Sequence, residues 1–91
     1  MVVNVLLWEY VIIAISNHKE SYPTEISKEI GRETNKNPVT HPHMLSIIKD
    51  FEALKWVTTF KRGRLKIIKI TPKGSEIAHN CRLIVNSLQT R

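Results

Sequence analysis

Five patterned stretches run along this chain, and each predicts one element. From position 2 to 15 only Asn4 and Glu9 interrupt an apolar run that includes Val2, Val3, Leu6, Trp8 and Tyr10. The run is shorter than the roughly 20 apolar residues a membrane span needs, and it lacks the basic flank of a signal peptide. It predicts a buried helix with Trp8 as a core anchor. Being apolar all round, the helix asks for a second body on its far side, and a partner subunit meeting Val2, Val3, Leu6 and Tyr10 is the simplest one. After a polar connection at 16–21, Pro23 opens a second helix, which places Ile26 and Ile30 on one face with Tyr22 and is expected to end at Gly31. Residues 32–39 are polar, with Asn35, Asn37 and Pro38 as turn formers. Thr40-His41-Pro42-His43 then reads as a helix N-terminus, with Thr40 as the cap. Met44, Ile47, Ile48, Phe51 and Leu54 follow at three- and four-residue spacing, so one stripe of this third helix faces a core. His43, Ser46, Lys49 and Asp50 face elsewhere.

Past Trp56, also a candidate core anchor, the period shortens. Val57-Thr58-Thr59-Phe60 and the run from Leu65 to Ile70 are rich in β-branched residues and flank Lys61-Arg62-Gly63-Arg64, which predicts a hairpin with a glycine-containing tip. Thr71-Pro72 opens the last segment, where Ile77, Cys81, Ile84 and Leu88 recur at spacings of four, three and four, widened by Ala78 and Val85. This short heptad-like seam has two readings. It packs on its own subunit, or it joins the first helix in pairing two subunits, and the apolar first helix favours the second.

Charge changes the picture at one place. Between Lys61 and Lys73 there are six Lys/Arg and no Asp/Glu, while the rest of the chain holds eight of each, so the net charge of +6 sits on the hairpin and its exit. A localised cationic patch attracts polyanions and releases their counterions, which points to nucleic acid before membrane. Edge lysines also discourage strand aggregation, but that role requires neither the exclusion of acids over thirteen positions nor arginines gathered at a tip. Ninety-one residues make one domain, 1–91, with a modest core that dimerisation would help. The single Cys81 cannot form an intramolecular disulfide, which fits a reducing compartment such as the cytoplasm or pairing across a dimer.

Helix, helix, helix, basic hairpin, helix is the order of a winged helix-turn-helix domain, an α+β and mostly helical fold with a two-stranded wing. Three stretches resemble the MarR and PadR regulator families of bacteria and archaea. The run from Pro23 to Gly31 is similar to their positioning helix, and the run from Met44 to Glu52 to their recognition helix. Ile70-Thr71-Pro72-Lys73-Gly74 is similar to the wing exit, often Leu-Thr-Pro-Lys-Gly in these families. The long span from Gly31 to Thr40 looks more like PadR than MarR proteins, and Lys55-Trp56 stands where Gly-Leu is usual. By position, the resemblance implies that His41, His43, Leu45, Ser46 and Lys49 face the major groove of double-stranded DNA. It also implies that Lys61, Arg62 and Arg64 of the wing approach phosphates or the minor groove.

Other chemistry finds less support. His41-Pro42-His43 and His79-Asn80-Cys81 invite a metal, but neither has the i, i+4 spacing that sets two ligands on one helix face, and no Cys-x-x-Cys accompanies them. No nucleophile motif or glycine-rich phosphate loop is present, so neither catalysis nor a cofactor is expected. The expectation is a homodimeric, sequence-specific DNA-binding regulator. Its rivals are a winged-helix module that docks on an acidic protein surface in a transcription or repair assembly, and a binder of structured RNA.

Overall fold

The computed structural model describes residues 6–34 and 39–89. Val2 and Val3 lie outside them. The order is α1 (Leu7–Ser16), α2 (Pro23–Thr34), α3 (His41–Ala53), β1 (Val57–Arg62), β2 (Leu65–Ile70) and α4 (Pro72–Gln89). Each helix contributes one stripe to a common core: Val11, Ile12, Ala14 and Ile15 from α1, Ile26 and Ile30 from α2, Met44, Ile47, Ile48 and Phe51 from α3, and Ala78, Cys81 and Val85 from α4.

The apolar first helix is mostly accounted for within one subunit. It packs against α4, α2 and β2, and its half-buried Tyr10 and Ile13 lie against the same core. Among the described residues of the run the exposed large apolar side chains are Leu6 and Trp8 at its start, so the part of the run from Leu7 to Ser16 finds most of its cover within one subunit. Trp8 is not a core anchor either, since it is 36% exposed and rests on the half-buried Trp56 at 5.7 Å between ring centroids. Glu9, which interrupted the apolar run, accepts a hydrogen bond from the Leu6 N–H at 3.2 Å and so satisfies an N-terminal donor of the helix.

α2 does not stop at Gly31 but runs on to Thr34. A glycine inside a helix costs only about 1 kcal/mol, and Gly31 is buried beside Ile30, where tertiary packing outweighs that propensity. The buried Ser27 hydroxyl donates to the Val39 carbonyl, tying the end of the α2–α3 connection back to α2.

The hairpin pairs Val57 with Ile70 and Arg62 with Leu65, which leaves Gly63-Arg64 as a two-residue loop. Gly63 has φ 65° and Arg64 does not share a positive φ, the pattern of a type II′ turn that puts glycine first. A third chain segment joins the sheet edge. Ser21 forms a single antiparallel bridge with Ile68, its N–H donating to the Ile68 carbonyl at 3.0 Å and its carbonyl accepting at 2.8 Å.

α3 ends in a Schellman motif built without glycine. The Trp56 N–H bonds the Phe51 carbonyl at 2.9 Å, the Lys55 N–H bonds the Glu52 carbonyl at 3.0 Å, and the Phe51 and Trp56 rings meet at 5.2 Å. Lys55 therefore takes the left-handed position, with φ 67°. The start of α4 is fixed against this corner. The Thr71 hydroxyl lies 2.6 Å from the Lys55 carbonyl and 3.0 Å from that of Trp56, and it accepts from the Gly74 N–H at 3.1 Å as an N-cap. A Cβ on Gly74 would lie 2.0 Å from the Trp56 carbonyl oxygen, so only glycine lets the α4 backbone approach.

Candidate nucleic-acid interface

The face of α3 opposite its core stripe carries the polar residues singled out above. Met44, Ile47, Ile48 and Phe51 are buried, whereas His41, His43, Ser46, Lys49 and Asp50 are exposed and Leu45 is half-buried. Thr40 is the N-cap by its extended backbone, but its hydroxyl makes no capping bond, contrary to the role expected of it. The first turn therefore keeps donors without a side-chain cap at an end where the helix dipole favours anions. At about 100° per residue, His41 and His43 sit on opposite edges of the exposed face. They do not converge, and among the described residues no group of three or more His, Cys, Asp or Glu is placed to hold a metal ion.

The wing comes to the His41 edge of that face. His41 and Leu45 line one cleft with Arg64, Leu65 and Lys66 of the hairpin and with Tyr22, Pro23 and Thr24 at the start of α2. Three elements distant in sequence thus present one concave, cationic surface. Within the ladder Lys61 stands directly opposite Lys66, a like-charge pairing that costs a sheet stability.

Two carboxylates temper this charge, and neither was legible in the sequence. Glu52, near the end of α3, accepts from the Thr59 hydroxyl at 2.9 Å and lies 4.0 Å from the Lys66 ammonium, so it links the helix to both strands of the wing. Glu20, next to the bridging Ser21, accepts from both terminal nitrogens of Arg62 at 3.3 and 3.2 Å. The Arg62 guanidinium also lies 5.5 Å from the centroid of the Phe60 ring. Arg62 therefore has intramolecular partners, while among the described residues no ion pair is recorded for Lys61, Arg64, Lys69 or Lys73. Local motifs carry no signal for a partner 42 residues away.

Away from the wing, the Ile77, Cys81, Ile84, Leu88 seam divides. Cys81 is 5% exposed and belongs with Ala78 and Val85 to the subunit's own core, Ile77 is half-buried against that core, and Ile84 is 53% exposed. The Leu88 side chain lies outside the described residues. Burial, followed by the nearby Glu9 carboxylate, pushes the Cys81 thiol above its ordinary pKa. A neutral, enclosed thiol is poorly placed to meet its copy across a two-fold axis. Arg82 fixes α4 to the end of α1, donating to the Ser16 hydroxyl at 2.9 Å and to the Asn17 side-chain oxygen at 2.8 Å. Just past that level, among the described side chains of α4, the exposed large apolar ones are Leu83 and Ile84. No helix among the described residues is long and apolar enough to cross a membrane.

No protein-family profile matches the chain. An uncharacterised protein of Archaeoglobus fulgidus is 39% identical over 49 residues, a match that spans 54% of this chain and only about half, 52%, of that protein. Among solved structures, AF1382 of Archaeoglobus fulgidus superposes with a TM-score of 0.73 at 24% identity, covering 96% of this chain and 94% of the other. A transcriptional regulator from Clostridium thermocellum superposes with a TM-score of 0.69 at 19% identity, covering 90% and 84%. With four helices, a two-stranded antiparallel wing and these superpositions along nearly its whole length, the chain has a winged-helix fold, shared with that Clostridium thermocellum regulator.

Proposed function

We propose that this chain is a sequence-specific, double-stranded DNA-binding transcriptional regulator that works as a cytoplasmic homodimer of the MarR/PadR type. The observation that carries the reading is the shared cleft, which His41 and Leu45 at one edge of α3 line together with Arg64, Leu65 and Lys66 of the basic wing. A convex helix beside a cationic hairpin matches a major groove flanked by phosphates. In this reading His41, His43, Leu45, Ser46 and Lys49 meet base edges or the groove wall, and Lys61, Arg62 and Arg64 meet the backbone or minor groove. The regulator from Clostridium thermocellum supports the assignment through its fold. The second subunit docks on the exposed apolar residues, chiefly Leu83 and Ile84 of α4, with Leu6 at the start of α1 contributing. The two α3 helices then address half-sites about one DNA turn, roughly 34 Å, apart.

The test is selection of bound duplexes from a random pool, followed by salt titration of binding to a selected and a scrambled duplex. The expected result is an enriched inverted repeat, tighter binding to the selected duplex, and affinity that falls steeply with salt on both. Absence of duplex binding at low salt defeats the reading and favours a protein-docking module.

A further inference from the structure

The pairing of Glu20 with Arg62 is unlike the other contacts of the wing, because it occupies the hydrogen-bonding fork that a phosphate would use. We propose that Glu20 is a built-in phosphate surrogate that holds Arg62 in the free protein and competes with DNA for it, setting the wing's affinity below its full electrostatic value. The inference rests on the DNA-binding reading and deepens it.

The geometry is a two-point clasp. Both terminal nitrogens of Arg62 are engaged, each with a different carboxylate oxygen, at 3.3 and 3.2 Å. Carboxylate and phosphate present similar pairs of oxygens to a guanidinium, so one fork cannot serve both fully. The clasp is also weak enough to open. The side chains are 60% and 36% exposed, and a solvated ion pair of this kind contributes little to stability. The backbone that carries Glu20 is anchored, because the next residue, Ser21, is buried and bonded in both directions to Ile68 in the centre of β2. The residue therefore stays within reach of the wing after Arg62 leaves it. Glu52 does not play the same part. It bonds Thr59 as well as approaching Lys66, a strut between α3 and the hairpin rather than a clasp on one cation.

Competition makes a signed prediction that a structural role does not. Glu20→Gln frees Arg62 for DNA, so affinity for selected and scrambled duplex should rise roughly two- to fivefold, the range set by a solvated ion pair. The slope of log K against log salt should steepen by less than the roughly one unit that a wholly new phosphate contact adds, because Arg62 reaches phosphate in both proteins and only its internal competitor is lost. In an Arg62→Gln background the same Glu20→Gln change should do neither. A thermal melt of each variant shows that it is folded. An unchanged affinity on Glu20→Gln while the wild type binds overturns the role of Glu20 alone. So does an equal gain in the Arg62→Gln background, which would mark a general effect of net charge. A wild-type protein that binds no duplex overturns the reading beneath it as well.

Discussion

The two ends of the β1–β2 hairpin are held by different physics. At its base, backbone geometry governs: Lys55 in the left-handed region, Thr71 bonded to the Lys55–Trp56 carbonyls, and Gly74 against the Trp56 oxygen. At its tip, Gly63 has open space where a Cβ would go, and the side chains around it are solvated cations. A region fixed by close backbone approach tolerates little, whereas one fixed by screened charge tolerates much and is available to a partner. On the proposed DNA-binding reading, stability and binding are separable in this hairpin, although only a few residues divide base from tip.

The largest effect on stability should come from Gly74→Ala. The added carbon collides with main chain rather than with a movable side chain, so the corner between α3 and α4 must open. A loss of about 3 kcal/mol is expected in denaturant unfolding. A loss under about 1 kcal/mol would mean that the base is not rigid and would break the comparison.

Thr71→Val keeps the side-chain shape and removes the hydroxyl, leaving the Gly74 N–H and the Lys55 carbonyl without that partner. Unfolding should become easier by about 1 to 2 kcal/mol, in line with the loss of a helix cap. Lys55→Gly tests the same corner with the opposite sign. Removing the Cβ relieves the left-handed strain, and a gain of about 1 kcal/mol, the lower end of that strain, is expected against the entropic cost of glycine. A destabilised Lys55→Gly protein would show that the lysine side chain, not the turn, is what matters there.

Least is expected at the tip. Replacing Lys61, Arg62 and Arg64 together by Ala should move stability by no more than about 0.5 kcal/mol, since all three are exposed. Duplex binding should nonetheless weaken on cognate and random DNA alike, with a salt slope shallower by roughly 2 to 3 units per subunit. Wild-type affinity in this variant would sharpen the comparison differently, by moving the interface off the wing.

The sequence by itself determined the helices, the hairpin and the place of the charge. Met44, Ile47, Ile48 and Phe51 repeat at helical spacing and are buried as a stripe; the runs from Val57 and from Leu65 to Ile70 are rich in β-branched residues around a glycine turn and form a ladder. These are local signals, written in period and propensity, and local physics suffices to read them. The tertiary structure decided what depends on partners far along the chain. It gave the apolar α1 neighbours on several sides within one subunit, drew Cys81 out of the supposed seam into the core, and carried α2 past Gly31. It also placed His41 and Leu45 in one cleft with Arg64, and Glu20 onto Arg62. Packing and long-range charge pairing are properties of the folded arrangement, and no spacing between neighbouring residues encodes which side chains will meet across it.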